Sequence, residues 1–96
     1  MYAMINEATL RQPLDDALLR QLEQRLFPQL RAIAGLRTYY LVQEADTKLI
    51  AVNLYESAEA LEAGLMAMAE IWQTTGLVEY LQTRPVVTMG DVIAHW

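Results

Sequence analysis

The sequence predicts an α+β domain in which a four-stranded antiparallel sheet carries two helices on one face. Three observations predict this class: the chain opens with an alternating segment, two stretches have helical periodicity, and an aromatic-rich hairpin lies between them. The resulting β-α-β-β-α-β order is that of the ferredoxin-like, split β-α-β architecture. A length of 96 residues suits one core, so residues 1–96 are expected to form a single domain.

The first strand is expected over residues 2–11, where side chains alternate between two faces. One face carries Tyr2, Met4, Asn6, Ala8 and Leu10. The other carries Ala3, Ile5, Glu7, Thr9 and Arg11. The sequence does not decide which of these faces contacts the helices, because a shift of one residue in register exchanges them.

Two helices follow from apolar residues that recur every three or four positions. The first is expected over residues 18–34, with a kink or break near residues 24–28, because Pro28 lacks the helical amide donor. The second helix repeats Leu61, Leu65, Met68 and Trp72 at the same spacing. Residues 77–81 are expected to add one further helical turn.

The ends of both helices carry residues suited to capping. Asp15 or Asp16 can accept amide hydrogens at the start of the first helix, and Ser57 can do so for the second. Gly35 and Gly76 follow the last apolar position of each helix, where a left-handed residue often ends the helix.

The hairpin is expected from residues 36–44 and 48–55, joined by a short polar turn. A last strand is expected over residues 86–94, in which Gly90 suggests a bulge or a close backbone approach. The first strand of the hairpin is rich in tyrosine, valine, leucine and threonine, a composition typical of strands.

Composition excludes several classes of function. The net charge is −5 and no stretch clusters lysine and arginine, so neither nucleic acid nor an anionic membrane is an expected partner. No apolar run approaches the roughly 20 residues of a membrane span. The first residues lack the basic start of a signal peptide, so a cytoplasmic location is expected.

Both faces of the sheet are apolar enough to need cover. In the third strand Ile50, Val52 and Leu54 lie on one face, while the intervening residues lie on the other. Helices cover one face, so we expect a homodimer through the helix-free face of the sheet. The alternative is a monomer with a partly apolar, solvated face.

Residues 35–61, GLRTYYLVQEADTKLIAVNLYESAEAL, carry a recognisable pattern. A glycine and an apolar residue precede an aromatic strand, and the next strand ends in Leu54-Tyr55-Glu56-Ser57. This segment resembles the antibiotic biosynthesis monooxygenase-like (ABM) family of dimeric α/β barrels. The resemblance implies that two sheets pack face to face and that a ligand cavity lies between each sheet and its own helices. Members include cofactor-independent oxygenases of aromatic polyketides, haem-degrading oxygenases and proteins of undetermined role.

The haem-degrading branch of this family uses an asparagine on the first strand, a tryptophan in the second helix and a histidine near the end of that helix. Asn6 matches the asparagine, but Gly64 stands near the position of the family's tryptophan, and Trp72 lies farther along. The only histidine is His95, at the penultimate position. Haem degradation is therefore not expected.

A pocket for a small aromatic ligand needs hydrogen-bonding groups among apolar walls. Six residues have suitable side chains and form the candidate pocket: Asn6, Tyr39, Tyr40, Asn53, Trp72 and Tyr80. For the aromatic residues, packing in the core is the more ordinary role. For the asparagines, the more ordinary role is a position in solvent or at an interface. No cofactor and no metal site is expected, because one histidine and no cysteine cannot assemble a typical site.

The sequence is compatible with two functions, and it identifies catalytic residues for neither of them. One is a small-molecule-binding homodimer that acts as a cofactor-independent monooxygenase on a phenolic or quinol-type substrate. The alternative is a non-catalytic dimeric module that binds a ligand or serves as a scaffold.

Overall fold

The computed structural model describes residues 1–96 and contains one four-stranded antiparallel sheet with helices packed on one face. The strands are β1 (Tyr2–Thr9), β2 (Leu36–Ala45), β3 (Lys48–Tyr55) and β4 (Val86–Asp91). They are arranged in the order β2-β3-β1-β4. The predicted α+β, ferredoxin-like fold is confirmed, with β1 and β3 at the centre of the sheet.

The first helical region runs without interruption but changes its winding before the proline. It consists of α1 (Asp16–Gln21), a π-helical segment (Leu22–Leu26) and α2 (Phe27–Arg31). The Phe27 amide donates to the Leu22 carbonyl five residues earlier, as π-helical winding requires. The irregularity predicted before Pro28 is therefore a π-helical turn, which lets the chain approach a residue without an amide hydrogen.

The second helical region is α3 (Ala58–Thr74), followed by a 3₁₀ turn (Leu77–Tyr80). Both predicted caps are confirmed: Asp15 Oδ1 accepts from the Leu18 amide at 2.8 Å, and Ser57 Oγ accepts from the Ala60 amide at 3.1 Å. The helices pack on the sheet through their buried residues, which include Leu18, Leu22, Leu26, Leu30, Leu61, Met68 and Ile71.

The register of the sheet separates its two faces. On the helix face, Met4 lies opposite Asn53 of β3, and Asn53 lies opposite Tyr39 of β2. On the helix-free face, Val52 of β3 lies between Ile5 and Tyr40 of the neighbouring strands. The helix-free face also carries Val42, Ile50, Leu54 and Val86.

The helix-free face combines apolar side chains with an ion-paired group at one end. Tyr40 is 58% exposed and Val86 is 65% exposed. Near one end, Lys48 Nζ lies 3.3 Å from Glu44 Oε2 and 3.7 Å from Glu7 Oε2. No helix is long and apolar enough to cross a membrane.

Two strand ends differ from the sequence prediction by more than one residue. β1 ends at Thr9, and Leu10 makes only an isolated bridge to Leu81. β4 ends at Asp91 rather than near residue 94, because Asp91 already pairs with Tyr2, the first residue of β1. Beyond that point β4 has almost no neighbouring strand left to bind.

The predicted bulge at Gly90 is wrong. Gly90 pairs with Ala3 in an unbroken register, and no atom lies within 4 Å of the place a Cβ would occupy. Irregularities occur instead in β2, where the register with β3 shifts between Leu36 and Thr38 and again between Gln43 and Ala45.

Candidate functional site

A cavity of about 350 Å³ lies between the helix face of the sheet, α3 and the 3₁₀ turn. Its walls come from β1, β2, β3, α3, the 3₁₀ turn and the start of β4. The lining residues are Met4, Asn6, Ala8, Leu10, Leu41, Leu49, Ala51, Leu65, Met68, Ala69, Trp72, Val78, Leu81, Pro85 and Val87. The size falls within the range of small-molecule sites, roughly 300–1,000 Å³.

Asn6 is the only polar side chain among these lining residues. It lies on β1, opposite Ala51 of β3 and Val87 of β4, so that it is flanked by small or apolar side chains on both sides. Its Oδ1 is buried and accepts no hydrogen bond from the protein. A buried amide oxygen without a partner is costly, so a ligand group that donates a hydrogen bond would find a favourable position here.

The cavity opens to solvent on the side away from the core. Leu65 on α3, Val78 on the 3₁₀ turn and Val87 on β4 are 40%, 48% and 49% exposed. Trp72, on the last turns of α3, is partly buried and packs against the core cluster. The walls are therefore apolar from the floor to the rim, with one hydrogen-bonding group at the floor.

A second polar feature lies beside the cavity on the same face of the sheet. Asn53 is fully buried, and its Nδ2 donates to the Met4 carbonyl at 3.1 Å. The buried Oδ1 of Asn53 and the hydroxyls of Tyr39 and Tyr55 have no protein partner. Burial, and then the proximity of Tyr55, raises the pKa of Tyr39 to about 12. Burial also raises the pKa of the Tyr55 hydroxyl.

Comparison with known proteins gives matches in structure only. No protein-family model matches the sequence, and no curated protein does. The cofactor-independent oxygenase SnoaB from Streptomyces nogalater superposes with a TM-score of 0.74 at 13% identity, over 98% of this chain and 94% of that one. The monooxygenase ActVA-Orf6 of Streptomyces coelicolor, solved with the ligand nanaomycin D, gives 0.71 at 14% identity, over 98% and 92%. Rv0793 from Mycobacterium tuberculosis gives 0.66 at 25% identity, over 98% and 96%.

The chain has the ABM fold. The resemblance of residues 35–61 to this group is thereby confirmed at the level of architecture, along nearly the whole chain. Identities of 13–25% establish the fold, and what the ABM fold does in this chain depends on the residues of its own cavity.

Within this ABM fold, two of the six candidate residues lie in the cavity, namely Asn6 and Trp72. Asn53 and Tyr39 lie on the same face of the sheet, one row of residues further along, and do not line the cavity. Tyr39 instead lines a shallower groove of about 280 Å³ beside α2, and its ring contacts Phe27 edge to face with centroids 5.9 Å apart.

The other two candidates, Tyr40 and Tyr80, line neither the cavity nor the groove beside α2. Tyr40 lies on the helix-free face, because successive residues of a strand point to different faces and Tyr39 is on the helix face. Tyr80 is exposed on the 3₁₀ turn, and its hydroxyl lies 3.5 Å from Gln21 Oε1. The structure therefore places neither residue in the cavity.

Two residues near the site were not among the candidates. Tyr55 is fully buried with an unpartnered hydroxyl, and strand alternation from Asn53 could have placed both on one face. Gly64 lies in the interior of α3, where a Cβ would be 3.1 Å from Ile33 Cγ2 and 3.3 Å from Tyr55 Cε1. The sequence did carry a signal for Gly64, because it lies inside an apolar helical repeat. A glycine there costs about 1 kcal/mol relative to alanine and so indicates close packing.

The titratable residues lie away from the cavity. None of the lining side chains is an acid or base, and no group of three or more histidine, cysteine, aspartate or glutamate side chains comes together in the fold. His95 is exposed and lies beyond the end of β4. Any proton released by a bound ligand would therefore have to pass to water at the rim of the cavity.

Proposed function

We propose that the protein binds a small aromatic molecule in the cavity, through its apolar walls and Asn6, and oxidises it with dioxygen. The observation that carries this proposal is a cavity of about 350 Å³ with a single polar side chain, whose buried Oδ1 has no protein partner. In this proposal the protein acts in the cytoplasm, and residues 1–96 form one domain.

The lining selects for a flat, apolar ligand with one polar group. Burying aromatic surface is favourable by roughly 25 cal/mol per Å², whereas each further polar group would lose its water without gaining a partner. Trp72 offers an aromatic wall, and Met4 and Met68 offer adaptable side chains. A phenol or hydroquinone with its hydroxyl at Asn6 meets these conditions.

The Asn6 amide can serve both forms of such a ligand. Its Oδ1 accepts a hydrogen bond from a neutral phenol, and its Nδ2 can donate to a phenolate or a quinone carbonyl after rotation of the amide. Since the walls provide no titratable side chain, ligand deprotonation would follow the pKa of the ligand itself. Turnover should then rise with pH through that value.

The reaction balances without a further reductant for an anthrone-type substrate. One atom of dioxygen becomes the new carbonyl oxygen at the methylene carbon, and the other leaves as water with the two hydrogens of that carbon. The substrate supplies the electrons, and the electron-rich phenolate form is the one that reacts with dioxygen. The role of the protein would be to hold that form in an apolar site.

Two structural neighbours support this choice of chemistry. SnoaB is a cofactor-independent oxygenase, and ActVA-Orf6 is a monooxygenase solved with nanaomycin D. Both share the ABM fold with this chain. The likeness motivates the reaction class, and the cavity of this chain supplies the residues.

The proposal includes a homodimer formed through the helix-free face of the sheet. Val52 is at the centre of this face between Ile5 and Tyr40, and these side chains form an apolar surface that the helices of the same chain do not cover. Burying such a surface against a second copy is the usual way to remove it from water.

The experiment is to incubate the protein with a panel of anthrones and hydroquinones under oxygen and to follow quinone formation. Wild type should exceed the uncatalysed rate, and Asn6→Leu should lose most of that excess. Tyr80→Phe is the matched control, because Tyr80 lies outside the cavity. The absence of turnover across the panel would refute the assignment as a cofactor-independent monooxygenase.

The second candidate is a non-catalytic ligand-binding module. The lining of the cavity supports this candidate, because it provides no acid or base for catalysis. Native mass spectrometry separates the two candidates. A retained aromatic ligand without turnover supports the binding module, whereas loss of that ligand in Asn6→Leu would still locate it in the cavity.

A further inference from the structure

Besides Asn6 Oδ1, three buried polar atoms on the helix face of the sheet have no hydrogen-bond partner in the protein. They are Asn53 Oδ1, the Tyr39 hydroxyl and the Tyr55 hydroxyl. Asn53 and Tyr55 are fully buried, and Tyr39 is partly buried. A buried hydroxyl or amide oxygen loses about 1–3 kcal/mol when it is left unpaired, so three together indicate a shared partner.

The three side chains converge from neighbouring positions. Tyr39 lies directly opposite Asn53 across the β2–β3 pair, and Tyr55 is two residues beyond Asn53 on the same face. The hydroxyls of Tyr39 and Tyr55 are close enough that the Tyr55 charge affects the pKa of Tyr39, yet they do not hydrogen-bond to each other. Because neither hydroxyl has a protein partner, both need a small group from outside the chain to complete their hydrogen bonds.

Gly64 lets α3 approach this cluster closely. A Cβ at Gly64 would be 3.6 Å from the Tyr55 hydroxyl, so a larger side chain there would crowd that hydroxyl. Several unpartnered polar atoms at neighbouring buried positions are the condition under which a protein interior holds water.

The chemistry of the three atoms specifies the bridging molecule. Asn53 Oδ1 only accepts, whereas each tyrosine hydroxyl both donates and accepts. The high pKa of Tyr39 keeps its hydroxyl protonated at neutral pH. The partner must therefore donate to the amide oxygen and exchange a hydrogen bond with at least one hydroxyl. Water has two donors and two acceptor sites, and so fits all three.

We infer that Asn53, Tyr39 and Tyr55 bind an internal water molecule between the sheet and α3. This water donates to Asn53 Oδ1 and bridges it to the tyrosine hydroxyls. It thereby fixes the orientation of the Asn53 amide, whose Nδ2 donates to the Met4 carbonyl. Met4 is also a wall residue of the cavity, so the water supports β1 two residues from Asn6. This inference is independent of the proposed reaction.

The first test measures the stability of Tyr39→Phe and Tyr55→Phe at one fixed protein concentration. If water bridges the cluster, each variant should raise the unfolding equilibrium constant about tenfold, since the remaining partners lose a hydrogen bond. Tyr80→Phe, which removes an exposed hydroxyl, should change that constant less than about threefold. The double variant should cost less than the product of the two single effects, because both act on the same water.

Two results would overturn the inference. If both single variants leave the unfolding constant unchanged or lower it, the hydroxyls have no partner to lose. The second test is a high-resolution crystal structure of the wild-type protein, which should show a solvent peak within about 3 Å of Asn53 Oδ1 and of a tyrosine hydroxyl. Direct hydrogen bonds among the three side chains, without such a peak, would also exclude the water.

Discussion

The side-chain amide of Asn53 donates a 3.1 Å hydrogen bond to the main-chain carbonyl of Met4, its direct neighbour across the β1–β3 pair. A fully buried side chain of one central strand is thus tied to the backbone of the other. Met4 is two residues from Asn6, so this bond helps to set the part of β1 that forms the floor of the cavity. Asn53 and the cavity are therefore connected through Met4, although Asn53 itself does not line the cavity.

Replacing Asn53 by leucine should lower the free energy of unfolding by about 1–3 kcal/mol, because the Met4 carbonyl loses its side-chain donor in a buried position. Asn53→Asp should cost more at neutral pH, since it buries a carboxylate facing a carbonyl oxygen. Protonation of that carboxyl restores a donor, so the aspartate variant should gain stability as the pH falls, relative to the leucine variant. Urea unfolding at neutral and acidic pH measures both, and equal pH dependence of the two variants would contradict this assignment.

Three glycine-to-alanine variants should rank by backbone conformation and by space. Gly35 has φ 81° and a Cβ there would lie 2.7 Å from Ala60 Cβ, so Gly35→Ala should combine a left-handed penalty of about 1–2 kcal/mol with overpacking of about 1–3 kcal/mol. Gly76 has φ 75° but no neighbour within 4 Å, so Gly76→Ala should show the backbone penalty alone. Gly90→Ala, in open space with an ordinary φ, should be neutral or slightly stabilising. Thermal unfolding of the three variants gives the order of their stabilities. If Gly76→Ala costs as much as Gly35→Ala, the predicted overpacking against Ala60 makes no contribution.

The features predicted well from the sequence are those decided by local chemistry. Asp15 and Ser57 cap helices because their side chains reach amides three residues ahead, and Gly35 and Gly76 adopt the left-handed backbone that ends a helix. The bounds of β3 follow from the turn before it and the cap after it.

The features that were missed depend on distant parts of the chain. The end of β4 is set by where β1 begins, since Asp91 pairs with Tyr2. Tyr39 and Tyr40 could not both face a pocket, and only the packed helices decide which face of the strand is covered. Tyr80 was misplaced because the orientation of the 3₁₀ turn is fixed by contacts with β1 and α1 rather than by its own periodicity.

Stability should fall as the pH rises from about 10 to about 12. An unperturbed tyrosine has a pKa of 10.0. In the folded protein the pKa of Tyr39 is about 12, because burial disfavours the phenolate. Between these values the unfolded chain releases the proton and the folded chain retains it, so unfolding becomes easier by up to about 1.4 kcal/mol per pH unit. Tyr39→Phe should reduce this slope in chemical unfolding, and phenolate absorbance should show one fewer late-titrating tyrosine. An identical slope in wild type and variant would show that Tyr39 titrates like an exposed residue.

Val52→Asp tests the proposed dimer at the centre of the helix-free face. Val52 is flanked by Ile5 and Tyr40, so a carboxylate there would be buried against a second copy without a partner, while in a monomer it would remain hydrated. Light scattering at micromolar concentration should give a dimer mass for wild type and a monomer mass for Val52→Asp, with circular dichroism showing that the variant is folded.

Two further substitutions separate loss of the interface from a general effect of added charge. Met66 is 83% exposed on α3, away from the sheet, so Met66→Asp should leave the dimer mass unchanged. Met89 lies on the helix face beside Met4 and is 51% exposed, so the carboxylate of Met89→Asp would stay hydrated and the dimer mass should not change. A wild-type monomer at micromolar concentration, or a dimer that survives Val52→Asp, would contradict pairing through this face. In either case the apolar surface around Tyr40 and Val42 would need a different partner.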